Sequence, residues 1–184
     1  VSGDIKQTRL GAWQQFIQAN PNGALYCFRG GLRSQTTQQW INEAFGIDYP
    51  RVEGGYKALR RFLLDSTERL VDKMNFVVLS GRSGTGKTRL LKQIPHSIDL
   101  EGLANHRGSA FGKRAAGQPS QIDFENNLAV QFLRQHHKSP STPIFLEDES
   151  HLIGRCAMPL KLRSAMHESP IVVVEADLES RVEH

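Results

Sequence analysis

Two glycine-punctuated loops carry residue types that bind anions. The first reads CFRGGLRS over 27–34, so that Cys27 is followed by Arg29, Gly30, Gly31, Arg33 and Ser34. Loop N–H groups and guanidinium groups around a thiol lower its pKa and hold a tetrahedral or thio-anion beside it. The second reads GRSGTGKT over 81–88 and fits G-x-x-x-x-G-K-[ST] without a mismatch. In that pattern Gly81, Gly84 and Gly86 let the backbone wrap phosphates closely. The amides of Ser83, Thr85 and their neighbours up to Thr88 sit at a helix start and favour negative charge. Lys87 reaches a terminal phosphate, and Thr88 can ligate Mg²⁺. The loop asks for a polyphosphate or pyrophosphate and does not specify that ATP is hydrolysed. A partner acid belongs at the end of another strand, where IFLEDE over 144–149 supplies Glu147, Asp148 and Glu149. One of these is expected to bind the Mg²⁺ directly or through water, with Glu147 and Asp148 as the candidates.

Two chemistries share the spacing C-x-x-G-x-x-R-[ST] met by Cys27, Gly30, Arg33 and Ser34. A cysteine phosphatase attacks a phosphate ester with the thiolate, whereas a rhodanese-type sulfurtransferase carries sulfur on it as a persulfide. Spacing alone does not separate them. Two local features bear on the choice: Tyr26 stands where most cysteine phosphatases have histidine, and Arg29 adds a second cation suited to a doubly charged anion. Cys156, in HLIGRCAMP, reads as a buried structural thiol.

The elements that position these loops follow from apolar spacing. Trp13, Phe16 and Ile17 fall at helical intervals, and Asn20-Pro21-Asn22-Gly23 stops that helix. Ala24 to Tyr26 is expected to be a short strand, with Cys27 starting the loop. Ser34 is an N-cap type ahead of a helix with Trp40, Ile41, Ala44 and Phe45 on one face, ended by Gly46. After Gly54-Gly55, the stripe Tyr56, Leu59, Phe62, Leu63 and Leu70 predicts a longer helix. Strands are expected over 76–79, 98–100, 143–146 and 171–175, and helices over 88–93 and 121–137. The stretch 105–120 is rich in Gly, Ser and Arg and reads as a long functional loop. Short apolar strands alternating with helices predict an α/β fold with a helix-covered parallel sheet.

The chain has 184 residues, 39% hydrophobic and 23% charged, enough for one ordinary domain plus a piece. Its formal net charge of +4 suits nucleic acid or a polyphosphate ligand without requiring either. Two cysteines give no disulfide framework and no metal-type spacing, which makes a reducing cytoplasm the expected compartment. No apolar run approaches the length of a membrane span. The opening VSGDIKQTRLG reads as the interior of a longer protein.

Six segments together carry a resemblance that covers nearly the whole chain: YCFRGGLRS at 26–34, EGGYKALRRF at 53–62, LSGRSGTGKT at 79–88, DLEGLANHRGSAFG at 99–112, QPSQIDFENNLA at 118–129 and EDESHLIG at 147–154. They resemble the bacterial tRNA 2-selenouridine synthase family, which joins a rhodanese-like domain to a P-loop domain. The resemblance implies the C-terminal part of a rhodanese-like α/β domain over 1–55, a connecting helix over 56–73, and over 74–184 a P-loop NTPase-like parallel sheet with helices on both faces. It implies a transferase whose substrate is tRNA bearing 2-thiouridine at the wobble position, in which selenium from selenophosphate replaces the sulfur. The route implied runs through S-geranylation with geranyl diphosphate, and a selenophosphate supplier is an implied partner.

On that reading Arg29, Arg33 and the Gly30-Gly31 turn hold selenophosphate while Cys27 takes part in selenium delivery. Lys87, the amides of residues 81–88 and Mg²⁺ hold geranyl diphosphate and assist its departure, with His106 and Arg107 above the sheet's carboxyl edge as further contacts. Lys113, Arg114, Arg155, Lys161 and Arg163 are candidates for a tRNA phosphate footprint.

The chain departs from the family in three places. Only 26 residues precede Cys27, whereas a rhodanese domain needs roughly a hundred. His151 stands where the family usually has arginine, and the chain ends at His184, just after a strand, where family members continue. Three other readings stand beside this one: a P-loop NTPase or kinase with a regulatory anion-binding thiol loop, a binding fragment without catalysis, and a cysteine phosphatase, which leaves the second loop unexplained.

Overall fold

The computed structural model describes residues 3–82, 84–106 and 117–175. The backbone divides into two compact units, residues 1–62 and 63–184.

In the first unit, α1 (Gly3–Ala19) ends where Asn20 and Pro21 begin a turn, and α2 (Leu32–Phe45) ends at Gly46, whose left-handed φ of 67° lets its N–H reach Asn42 O at 2.8 Å. Ile17, Ile41 and Tyr49 are buried together, with Trp13, Leu25, Phe45 and Ile47 packed against them. The strand expected at 24–26 is a single parallel bridge, Leu25 to Arg51. Leu25 N–H donates to Pro50 O and Val52 N–H to Leu25 O, and the pairing stops there. A run of three apolar residues has the β composition but finds one partner residue only. α3 (Gly55–Val71) begins in this unit, one residue earlier than its apolar stripe.

The second unit is built on a four-stranded parallel sheet: β1 (Phe76–Ser80), β2 (Ser97–Ile98), β3 (Ile144–Glu147) and, later in the chain, β6 (Ile171–Val173), in the order β2-β3-β1-β6. Helices α4 (Lys87–Leu91), α5 (Leu100–Leu103), α6 (Gln121–Lys138) and α7 (Leu160–His167) flank it. This is the helix-covered parallel sheet that the sequence predicts. α6 starts where Ser120 accepts a hydrogen bond from Asp123 N–H, an N-cap that satisfies one of the helix's free donors. Its Phe124, Leu128 and Phe132 are fully buried in the core with Val78, Ile144 and Leu146. A two-stranded antiparallel hairpin, β4 (Leu152–Ile153) with β5 (Cys156–Ala157), and α7 complete the unit. The sequence pattern did not announce either, since strands of two residues carry no period. The segment expected as a strand at 98–100 is strand only to Ile98, after which Asp99 caps α5 through Gly102 N–H.

Parallel register aligns the strand ends. Leu79 of β1 pairs with Glu147 of β3, and Ile98 of β2 pairs with Leu146. The carboxyl ends of β2, β3 and β1 therefore lie in a row, and the loops that follow each of them meet at one edge of the sheet.

Candidate functional site

Each unit carries one of the two loops. In the first, the bridge at Leu25 delivers Cys27 to the start of α2. Its Sγ lies 3.3 Å from Ser34 Oγ. The Ser34 hydroxyl foremost, with the backbone N–H groups of Ser34, Arg29 and Gly31, lowers the thiol to about 7 against the opposing effect of burial. Ser34 is not the N-cap expected. Gly31 holds that position, and Ser34 sits in the first turn, its Oγ 3.0 Å from Gly31 O and beside the thiol. Arg29 and Arg33 are exposed.

The loop is held in shape by a segment 21 to 29 residues further on. Tyr56 N–H donates to Cys27 O at 2.9 Å, Lys57 N–H to Phe28 O at 3.2 Å and Arg51 Nη1 to Gly30 O at 2.6 Å. Gly30 and Gly55 both have left-handed φ, and a Cβ on Gly55 would collide with Cys27 O. A cavity of about 380 Å³ opens beside the thiol, walled by Trp13, Phe16, Leu25 and Ile41, with Arg33 and Ser34 at its Cys27 end. Phe28, half-exposed, stacks on Tyr56 at a ring separation of 6.1 Å.

In the second unit the loop over 81–88 leaves β1 directly. Gly81, Gly84 and Gly86 all have positive φ, and a Cβ on Gly81 would strike Val174 O. Lys87 Nζ folds back onto Gly81 O at 2.7 Å and Arg82 O at 3.2 Å. Ser83 lies outside the described residues, as do Arg107, Lys113 and Arg114.

Of the three acids at the end of β3, the structure parts Asp148 from Glu147 and Glu149. Side chains alternate across a strand, so neighbours part company. Asp148 accepts a hydrogen bond from Ser80 Oγ at 2.7 Å. Glu147 is 1% exposed; its oxygens make no hydrogen bond of regular geometry among the described residues, but the Thr88 hydroxyl lies close enough to favour its charged form. Burial pushes it to about 7. Thr88 and Lys87 pull it down, while Glu101 and Asp99 add to the rise. Glu149 is raised too, chiefly by burial and then by its hydrogen bond to Glu101. Glu101, from α5, was not singled out in the sequence. It reaches Glu147 because β2 pairs with β3, and the three carboxylates converge with ligand oxygens within 4.8 Å of one another.

His106 is buried, its Nδ1 without a partner among the described residues, and its backbone N–H donates to Glu101 O. Of the five basic residues expected to line a footprint, the three that are described are engaged locally. Lys161 pairs with Asp72 at 2.6 Å, Arg163 Nε contacts His167 Nε2 at 3.4 Å, and Arg155 donates from its guanidinium to Gln118 O. Cys156 is fully buried, and burial raises its pKa.

A strand–loop–helix with a fully matched phosphate loop, on a parallel sheet of order β2-β3-β1-β6, agrees with what comparison finds: the family model described as the tRNA 2-selenouridine synthase AAA domain matches residues 74–184. The chain belongs to this family. Its relatives extend over both units. The tRNA 2-selenouridine synthase of Marinobacter nauticus is 59% identical over 182 residues, 99% of this chain and 49% of that protein. That of Hahella chejuensis is 60% identical, over 99% of this chain and 48% of the relative. That of Pseudomonas aeruginosa is 53% identical, over 100% and 49%. The chain thus spans about half the length of the curated relatives it matches. No solved structure matches it.

Proposed function

We propose that this chain serves a tRNA 2-selenouridine synthase, a transferase that replaces the sulfur of wobble 2-thiouridine in tRNA with selenium from selenophosphate, by way of S-geranylation with geranyl diphosphate. The observation that carries the reading is the pairing of an activated thiol and a phosphate loop in a chain 53–60% identical to proteins of that name. We assign residues 1–55 to a rhodanese-like domain and 74–184 to the P-loop domain, in a protein of the reducing cytoplasm. Among the described residues no helix is long and apolar enough to cross a membrane.

In the thiol loop, Arg29, Arg33 and the amides around Gly30 and Gly31 hold the selenophosphate anion, and Cys27, with its pKa of about 7, is substantially thiolate at neutral pH and takes part in selenium delivery. In the phosphate loop the backbone amides and Lys87 hold the diphosphate of geranyl diphosphate, and His106 and Arg107 remain candidate contacts. Lys87 then exchanges its present carbonyl partners for phosphate oxygens. A divalent cation such as Mg²⁺ would neutralise charge on the departing diphosphate. Thr88 and Glu147 would hold it: a buried carboxylate beside the Thr88 hydroxyl fits a cation, whereas Asp148 is committed to Ser80. Phe28 beside Cys27 offers an exposed ring on which an unstacked base of the tRNA can lie.

Calorimetry with geranyl diphosphate and with ATP, each with Mg²⁺, tests this. Geranyl diphosphate is expected to bind at least about tenfold more tightly than ATP, and Lys87→Ala to abolish that binding. Preference for ATP, with geranyl diphosphate ignored, would replace this reading by that of an NTP-using enzyme with a regulatory thiol loop.

A further inference from the structure

The loop around Cys27 exposes apolar side chains on both sides of its Gly30-Gly31 turn: Leu32 is 80% exposed and Phe28 51%. One exposed leucine is ordinary. Here, however, the backbone that carries it is fixed. Cys27 O, Phe28 O and Gly30 O each accept a hydrogen bond from residues 51–57, and Leu32 is the first residue of α2. The exposure therefore belongs to the built shape of the loop and not to a frayed end. A second observation is charge. Segments 26–34 and 51–62, joined by those hydrogen bonds, hold six Arg and Lys residues and one acid, Glu53. Of the six, Arg29, Arg33, Lys57 and Arg61 are exposed and make no ion pair among the described residues.

Apolar surface alternating with unpaired cations is the composition that binds single-stranded nucleic acid, where rings take bases and cations take phosphates. The ring of Phe28 is backed by Tyr56 with their planes 22° apart, and Lys57 Nζ lies 5.7 Å from its centroid. Arg61, one helical turn beyond Lys57 on α3, carries the positive charge onward from that ring. Leu32 has no π face and holds no base as Phe28 can. A branched aliphatic side chain instead enters between two bases and parts them. Helical geometry tilts each Cα–Cβ bond toward the helix N-terminus, which sets Leu32 toward the thiol loop rather than along α2. A base stacked within an RNA loop keeps its reacting edge out of reach of such a cradle. It has to swing out, and the gap it leaves is costly until something fills it.

We infer that Leu32 is a wedge that fills the place in the nucleotide stack left by the extruded wobble base, while Lys57 and Arg61 hold the adjoining phosphates. Leu32, Lys57 and Arg61 are the new assignments. The inference rests on the reading of the substrate as tRNA modified at its wobble base, and adds the means by which that base is brought to Cys27. Leu32 touches the neighbours of the reacting base and not the reacting atoms, so it is a positioning residue.

The test compares two RNAs by fluorescence anisotropy: an anticodon stem-loop with 2-thiouridine at the wobble position, and an oligouridylate of equal length, whose bases are not stacked. Leu32→Ala is expected to weaken the stem-loop at least about fivefold and the oligouridylate less than about twofold. Leu32→Met, which keeps an apolar side chain of similar volume, stays within about twofold of wild type on both. A 2-aminopurine placed 3′ of the wobble position brightens when wild type binds, because its stack is broken, and stays dim with Leu32→Ala. Lys57→Ala and Arg61→Ala weaken both RNAs alike, and each lowers the slope of log affinity against log salt by about 1. An equal loss on both RNAs, a bright 2-aminopurine with Leu32→Ala, or a Cys27 alkylation midpoint moved by that variant would overturn the wedge and leave the tRNA reading standing. Unchanged salt slopes in both α3 variants would overturn the phosphate contacts. Wild type that ignores the stem-loop would overturn the tRNA reading and the wedge with it.

Discussion

Cys27 and Ser34 are seven residues apart in the chain and 3.3 Å apart in space, because the loop between them closes onto the first turn of α2. Ser34 is the largest single cause of the lowered thiol pKa, ahead of the loop amides. An acid whose pKa falls holds more of its charged form at a given pH. At pH 7 a thiol with pKa about 7 is roughly half thiolate, and one near 9 about 1%. Ser34→Ala is therefore expected to move the midpoint of alkylation by iodoacetamide upward, toward 9, and to slow the reaction at pH 7 about tenfold. Cys156 will not confuse the reading, since it is fully buried. An unmoved midpoint would show that the amides and arginines suffice without the hydroxyl.

At the next scale, the turn that begins α3 serves the thiol loop as a template. Gly55 stands at φ 59°, where a Cβ would strike Cys27 O, while a Cβ on Gly31 would meet nothing within 4 Å. Gly55→Ala is expected to cost roughly 1–3 kcal/mol in urea unfolding and to raise the Cys27 midpoint, whereas Gly31→Ala, at the N-cap of α2, costs about 1 kcal/mol or less and leaves the midpoint in place. Equal effects would refute the template role. The pair Gly54-Gly55 reads in the sequence only as punctuation, because the carbonyl it accommodates is 28 residues before Gly55. The same distinction separates what was legible from what was not. The phosphate loop was legible because its demands are local: three glycines at positive φ, a lysine and a threonine within eight residues. So was α6, expected over 121–137 and found as Gln121–Lys138. Glu101 was not, since only the pairing of β2 with β3 brings it to Glu147. Asp148 looked equal to Glu147 in EDE, and strand alternation, which sends one inward and the other to Ser80, is what divides them.

For the unit over 63–184 as a whole, the carboxylate cluster is a cost carried in the fold. Glu147 in the folded protein titrates at about 7, above its ordinary value of 4.5. A carboxyl whose folded pKa is raised lends stability that is complete below its unfolded pKa and is lost as pH climbs through the folded value. Without divalent cation, the calorimetric melting temperature of this unit is thus expected to fall between about pH 5 and pH 8. A cation that binds only the folded state works in the opposite direction, contributing about 2.7 kcal/mol at a hundredfold excess over its Kd. For a chain of this size that corresponds to roughly 5–10 °C. Because the cation competes with protons for the same oxygens, its effect should be large at pH 8 and nearly absent at pH 5. Glu147→Gln should flatten the apo curve and abolish the response to Mn²⁺ together. A melting temperature indifferent to pH without metal, or one raised equally by Mn²⁺ at pH 5 and pH 8, would mean that the cluster is neither strained by its charge nor relieved by a cation, and that the phosphate loop works beside it rather than through it.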